Sequence, residues 1–113
     1  MQHEEDKIQM MLVAWFRLQY PKILMTISPG GLITNAKSGN KANKMGYSKG
    51  TPDLLILQPS GKYHGLLIEL KSSKGKASPE QIVWLGKLLE KGYYAHICIG
   101  FEEAKSVIDG YLQ

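Results

Sequence analysis

Asp53 follows Gly50-Thr51-Pro52, and Glu69-Leu70-Lys71 begins sixteen residues later. Two carboxylates and one ammonium brought to a single point could hold a hard divalent cation and neutralise charge on a phosphoryl group, the chemistry of magnesium-dependent phosphodiester hydrolysis. Glu-x-Lys by itself is a common solvent-facing pair, so the weight falls on its surroundings. Apart from these charges the flanking segments are apolar at nearly every position, which implies strands covered on both faces. Charges in such strands need partners or a metal.

Those segments, Asp53-Leu-Leu-Ile-Leu-Gln58 and Tyr63-His-Gly-Leu-Leu-Ile-Glu-Leu70, are separated by Pro59-Ser60-Gly61-Lys62 and read as a β-hairpin. Alternation sets Glu69 and Lys71 on one side, Ile68 and Leu70 on the other. Asp53 joins the first pair only if paired residue numbers sum to an even value. A two-residue Ser60-Gly61 turn gives an odd sum and separates the carboxylates, so a three-residue loop, a bulge or an equivalent offset is required.

Charge is unevenly spread. Residues 37–76 hold eight lysines and two acids, Asp53 and Glu69, a net of +6, while the remaining six basic and eight acidic residues give −2. A basic field around two carboxylates suits a site that attracts a polyanion yet holds a divalent cation. Lys41, Lys44, Lys49, Lys74 and Lys76 are the candidate phosphate contacts. For the loop taken alone, a solvated lysine-rich segment is an equal alternative.

Further elements follow from periodicity and punctuation. Residues 4–19 place Ile8, Met11, Leu12, Trp15 and Leu18 at helical spacing before Tyr20-Pro21. A strand is expected over 22–28, a long mobile loop over 34–50, a helix over 79–91 with Ser78 as N-cap and Pro79 at its first position, a strand over 94–99 and a helix over 102–112. The order α-β-β-β-α-β-α describes an α/β (α+β) fold, a mixed central sheet flanked by helices. With 113 residues, 43% of them hydrophobic, one core is expected, a single domain over 1–113.

Other function classes find no support. The single cysteine, Cys98, lies in Ala95-His-Ile-Cys-Ile99 and reads as a buried thiol in a reducing compartment. No apolar stretch approaches the roughly 18 residues of a membrane span, and the start Glu4-Glu-Asp6 is unlike a signal peptide, so a soluble cytoplasmic protein is expected. His3, His64 and His96 lack the mutual spacing of a zinc site, and His96 reads as structural.

Gly50-Thr-Pro-Asp53, Glu69-Leu-Lys71 and Ser78-Pro-Glu-Gln81 together resemble the PD-(D/E)xK nuclease superfamily, specifically its VRR-NUC (virus-type replication-repair nuclease) branch, over essentially the whole chain. The resemblance implies a restriction-endonuclease-like core. It implies that Asp53, Glu69 and the Leu70 carbonyl are metal ligands, Lys71 the catalytic lysine and Gln81 a helical glutamine beside the site. From the residues alone, Gln81 could equally be the reciprocal half of a capping box. The family's acidic residue early in its first helix is matched by Glu5, with Glu4 the alternative, although a first-turn acid is also what the helix dipole favours. The usual glycine and basic run before the Pro-Asp pair survives as Lys44-Met-Gly-Tyr-Ser-Lys49. The implied activity is cleavage of DNA, branched forms such as Holliday junctions or flaps included, with Mg2+ as cofactor and Mn2+ as substitute, in a phage or bacterial host.

The runner-up is a non-catalytic nucleic-acid-binding module or interaction subunit using the same basic loop. Met10, Met11, Trp15, Phe16 and Tyr20 crowd the first helix with more apolar surface than one stripe needs, which points to a symmetric homodimer. Coverage of both sides of that helix by the chain's own sheet and last helix is the alternative.

Overall fold

The computed structural model describes residues 2–33 and 35–113, so position 34 of the expected loop, Met1 of the expected domain, and the His3 side chain lie outside the described residues. The elements run α1 (Gln2–Gln19), β1 (Met25–Ile27), a 3-10 turn (Pro29–Leu32), α2 (Ala36–Lys44), β2 (Leu54–Ile56), β3 (Leu66–Lys71), α3 (Pro79–Glu90), β4 (Tyr94–Ile99) and α4 (Phe101–Leu112). The sheet order is β1-β2-β3-β4, antiparallel except for the parallel β3/β4 pair, whose crossover is α3. This is the mixed sheet and the element order expected, with one addition.

That addition is α2. Composition predicts a loop over 34–50, yet residues 36–44 are helical. Asn35 caps the helix by accepting the Ser38 N–H at 2.8 Å. No residue of α2 is buried, so the apolar periodicity that marks a core-facing helix is missing.

The hairpin has the even register. Leu54 stands opposite Ile68, Leu55 opposite Leu67 and Ile56 opposite Leu66. Its turn is two residues, Gly61-Lys62, closed by an isolated Ser60/Tyr63 bridge with both backbone hydrogen bonds made, at 3.1 and 2.9 Å. Continued without interruption, that bridge would give the odd register. Three residues (57–59) oppose two (64 and 65), and this bulge-type offset restores the even one.

Leu54, Ile56, Leu66, Ile68, Leu70 and Cys98 turn to the face covered by α1 and α4, where Leu12, Phe16, Ala104 and Ile108 complete the core. At roughly 25 cal/mol per Å² of apolar surface removed from water, these side chains supply the main driving force for closing the sheet. Burial pushes the Cys98 thiol up to about 12, in keeping with an inert core sulfur. The core-facing stripe of α1 is Ile8, Leu12, Phe16 rather than the one anticipated, since Met11 and Leu18 are 56% and 86% exposed. Trp15, Phe16 and Tyr20 are spent within the chain, with Trp15 edge-on to Phe101, while Met10 is 65% exposed. No described helix is long and apolar enough to cross a membrane.

Candidate active site

On the opposite face of the sheet, beneath α3, the same register brings Asp53 across from Glu69. The backbone first holds Asp53 in place: its carbonyl accepts the Ser28 N–H of the segment leaving β1 at 2.9 Å. Its side chain then accepts the Leu70 N–H at 2.8 Å. Residues 66, 68 and 70 direct their backbone polar groups toward β2, and the position opposite Leu70 is Pro52, which has no N–H to give. The Leu70 carbonyl is therefore left without a ladder donor and faces the gap beside the Asp53 carboxylate, which takes the Leu70 N–H.

Gly50 explains how the Pro-Asp segment meets α3. Its φ is 101°, and a Cβ there would lie 2.7 Å from the Glu80 carbonyl carbon, so only glycine lets this loop press against the first turn of α3.

Glu69 is 3% exposed in the middle of the sheet. Its Oε2 accepts from Gln81 Nε2 at 2.8 Å and lies 3.5 Å from Lys71 Nζ. Gln81 serves both alternatives left open by the sequence. Its Oε1 accepts the Ser78 N–H at 2.8 Å and its own N–H reaches Ser78 Oγ at 3.2 Å, a full capping box, which turns the amide NH2 toward Glu69. Glu69 Oε1 is buried and has no hydrogen-bond partner among the described residues.

Burial, reinforced by the neighbouring Asp53 charge and only partly offset by Lys71, pushes Glu69 up to about 8. Asp53 is also raised by burial, against the pull of the Leu70 N–H. Two facing carboxylates with one orphaned oxygen are short of positive charge. The oxygens of Asp53, Glu69 and the Leu70 carbonyl form a donor set of the hard kind that suits Mg2+ or Mn2+.

These groups open into a cleft of about 380 Å³ that Glu5, Tyr47, Lys49, Asp53, Glu69, Lys71, Ser78 and Gln81 help to line. Of the two helix-one candidates, Glu5 reaches the cleft and Glu4 is exposed outside its lining. A Cβ at Gly75 would sit 2.9 Å from Glu5 Oε2 and 3.3 Å from Lys71 Cδ, so glycine there makes room for both. Among the candidate phosphate lysines only Lys49 lines the cleft, whereas Lys41, Lys44, Lys74 and Lys76 are exposed outside it.

Sequence reading missed Tyr47. Its ring lines the cleft, its hydroxyl rests over Gly30, and burial followed by the Glu69 and Asp53 charges raises its pKa. The available signal was a tyrosine within the basic run preceding Pro-Asp, with Gly30-Gly31 able to receive it.

A mixed sheet with a crossover helix, carrying two carboxylates, a lysine and a helical glutamine into one cleft, is the architecture of a nuclease-type domain. The chain belongs to the VRR-NUC domain family, whose sequence model matches residues 2–102. A solved structure described as a VRR_NUC domain protein is similar at 30% identity and a TM-score of 0.79, covering 96% of this chain and 87% of that one. No curated protein matches.

Proposed function

We propose that this chain is a single-domain, metal-dependent DNA endonuclease acting on branched DNA in replication or repair, inside a reducing cell compartment, as a homodimer. The observation that carries the reading is the convergence of Asp53, Glu69 and Lys71, with a buried Glu69 oxygen that has no partner among the described residues. Family membership supports the nuclease class.

Asp53, Glu69 and the Leu70 carbonyl would hold Mg2+ or Mn2+, and Glu5 stands where it could contribute a further oxygen. When bound, the ion supplies Lewis-acid polarisation of the scissile phosphate and acidifies water. Lys71 neutralises charge growing on the phosphoryl oxygens in the transition state, or holds the attacking water. Gln81 fixes the rotamer of Glu69, and the Asp53–Leu70 bond fixes that of Asp53. Lys49 at the rim draws in the phosphate backbone, with Lys41, Lys44, Lys74 and Lys76 extending the basic field.

Exposed Met10, Met11 and Leu18 on α1 support the homodimer, which gives two sites to the two scissile strands of a junction. The deciding experiment is cleavage of flaps, junctions and duplexes with magnesium, manganese or EDTA. Metal-dependent cutting of branched forms is expected. Tight binding without cutting would instead make the chain a binding module, and a solution mass near 12.6 kDa with junction cutting intact would remove the dimer.

A further inference from the structure

The helix that replaces the expected loop gives its lysines a direction. At 100° per residue, Lys37, Lys41 and Lys44 fall within about a 60° arc of α2, whereas Gly39 and Asn43, which line the cleft, lie on the other side. All three lysines are exposed, and neither ion pair among the described residues uses them. Spacings of i, i+4 and i+7 set like charges beside one another, which weakens a helix. That cost falls on a helix with no buried residue and an internal glycine. No acid occurs from Lys7 to Pro52 to offset it. A face that repels itself and has no ion-pair partner among the described residues is matched to an external polyanion.

We propose that α2 bridges the groove of a nucleic-acid duplex, its Gly39/Asn43 side over the strand in the cleft and its lysine side against the phosphates of the opposite strand. The substrate at the cleft is then double-stranded. Dimensions agree: a helix with side chains is about 10–12 Å across and the major groove about 12 Å wide. The lysine row is about 10 Å long, which spans roughly three base-pair steps of 3.4 Å. Small residues on the cleft side allow the cut strand to approach, and long cationic ones on the far side reach outward.

The inference rests on the nuclease reading for which strand is cut, but its test does not. Binding of a 24-base-pair duplex and of one of its strands is measured by fluorescence anisotropy across a salt series in EDTA. The wild type, K37A/K41A/K44A and K37R/K41R/K44R are compared, and magnesium-dependent nicking of the same duplex is followed in parallel. In the alanine variant the log–log salt slope should fall by about 0.9 per lysine on duplex and stay unchanged on the single strand, with arginine restoring it. Equal losses on both substrates, no loss on either, or no duplex binding by the wild type would overturn the bridge. Duplex-selective loss with neither the duplex nor a junction built from it cut would leave the bridge standing and remove the nuclease reading. Nicking with no duplex-selective loss would do the reverse.

Discussion

Gln81 donates to Glu69 across 2.8 Å while the oxygen of the same amide caps the backbone of Ser78. One side chain thereby ties the start of α3 to the middle of β3. Ser78→Ala removes only the Oγ acceptor and should cost about 1 kcal/mol of stability with little effect on cleavage. Gln81→Ala loses the cap and frees Glu69, so cleavage should fall well beyond what its stability loss explains. Thermal melts beside cleavage rates at saturating magnesium check this; equal activity in the two variants would reduce Gln81 to a cap.

Both facing carboxylates are raised by burial, so the folded chain keeps protons that the unfolded chain has released. This contribution is full below the ordinary Glu value of 4.5 and is lost as pH rises through about 8. In EDTA, Tm should fall as pH rises from 5 to 8.5, because the folded chain then gives up the protons that these two groups hold. Glu69→Gln should flatten that dependence and abolish cleavage, Asp53→Asn should also abolish cleavage, and magnesium should restore wild-type Tm at high pH. A pH-independent Tm in this window would contradict the electrostatics.

Lys71 lies 3.5 Å from Glu69 with its side chain 12% exposed. Lys71→Ala should lose most of the catalytic rate, on the order of a hundredfold or more, because its charge is used where transition-state charge appears. Calorimetry should still detect divalent-cation binding. Loss of that binding would reassign the lysine to holding Glu69 in place.

The Tyr47 hydroxyl and Gly30 share one space, since a Cβ at position 30 would fall 2.5 Å from the oxygen but 3.4 Å from the ring carbon bearing it. Gly30→Ala should therefore displace Tyr47, destabilise the fold by about 1–3 kcal/mol and slow cleavage. In a Tyr47→Phe background the same substitution should cost much less. Additive effects in the double-mutant cycle would show that the two positions do not communicate.

The strands and α3 were legible because their signals are local: branched aliphatic runs, and a Ser-Pro-x-Gln start. Sharing of a face by Asp53 and Glu69 was legible only as a condition. It depends on one extra residue in 57–59, and Pro59-Ser60-Gly61-Lys62 permits more than one turn. The helix α2 was hidden for a physical reason, since a helix that buries nothing has no apolar period and its Gly, Asn and Lys content reads as loop. On α1, Ile8, Met11, Leu12, Trp15 and Leu18 all fit helical spacing, and only packing against β3 and α4 decides that Met11 and Leu18 stay outside. Tyr47 was overlooked because its role comes from a distant partner, Gly30, and not from a motif.

The bulge in the hairpin makes changes of length unequal on its two sides. Removing one residue from 57–59 leaves two opposite two, restores regular pairing, and keeps Asp53 across from Glu69. Removing one from 64–65 deepens the mismatch to three against one, and regular pairing continued from the bridge would set Asp53 opposite Lys71 instead of Glu69. The strand leading into the turn has a residue to spare, and the strand leaving it has none, so natural or engineered deletions in this hairpin are tolerated on one side only.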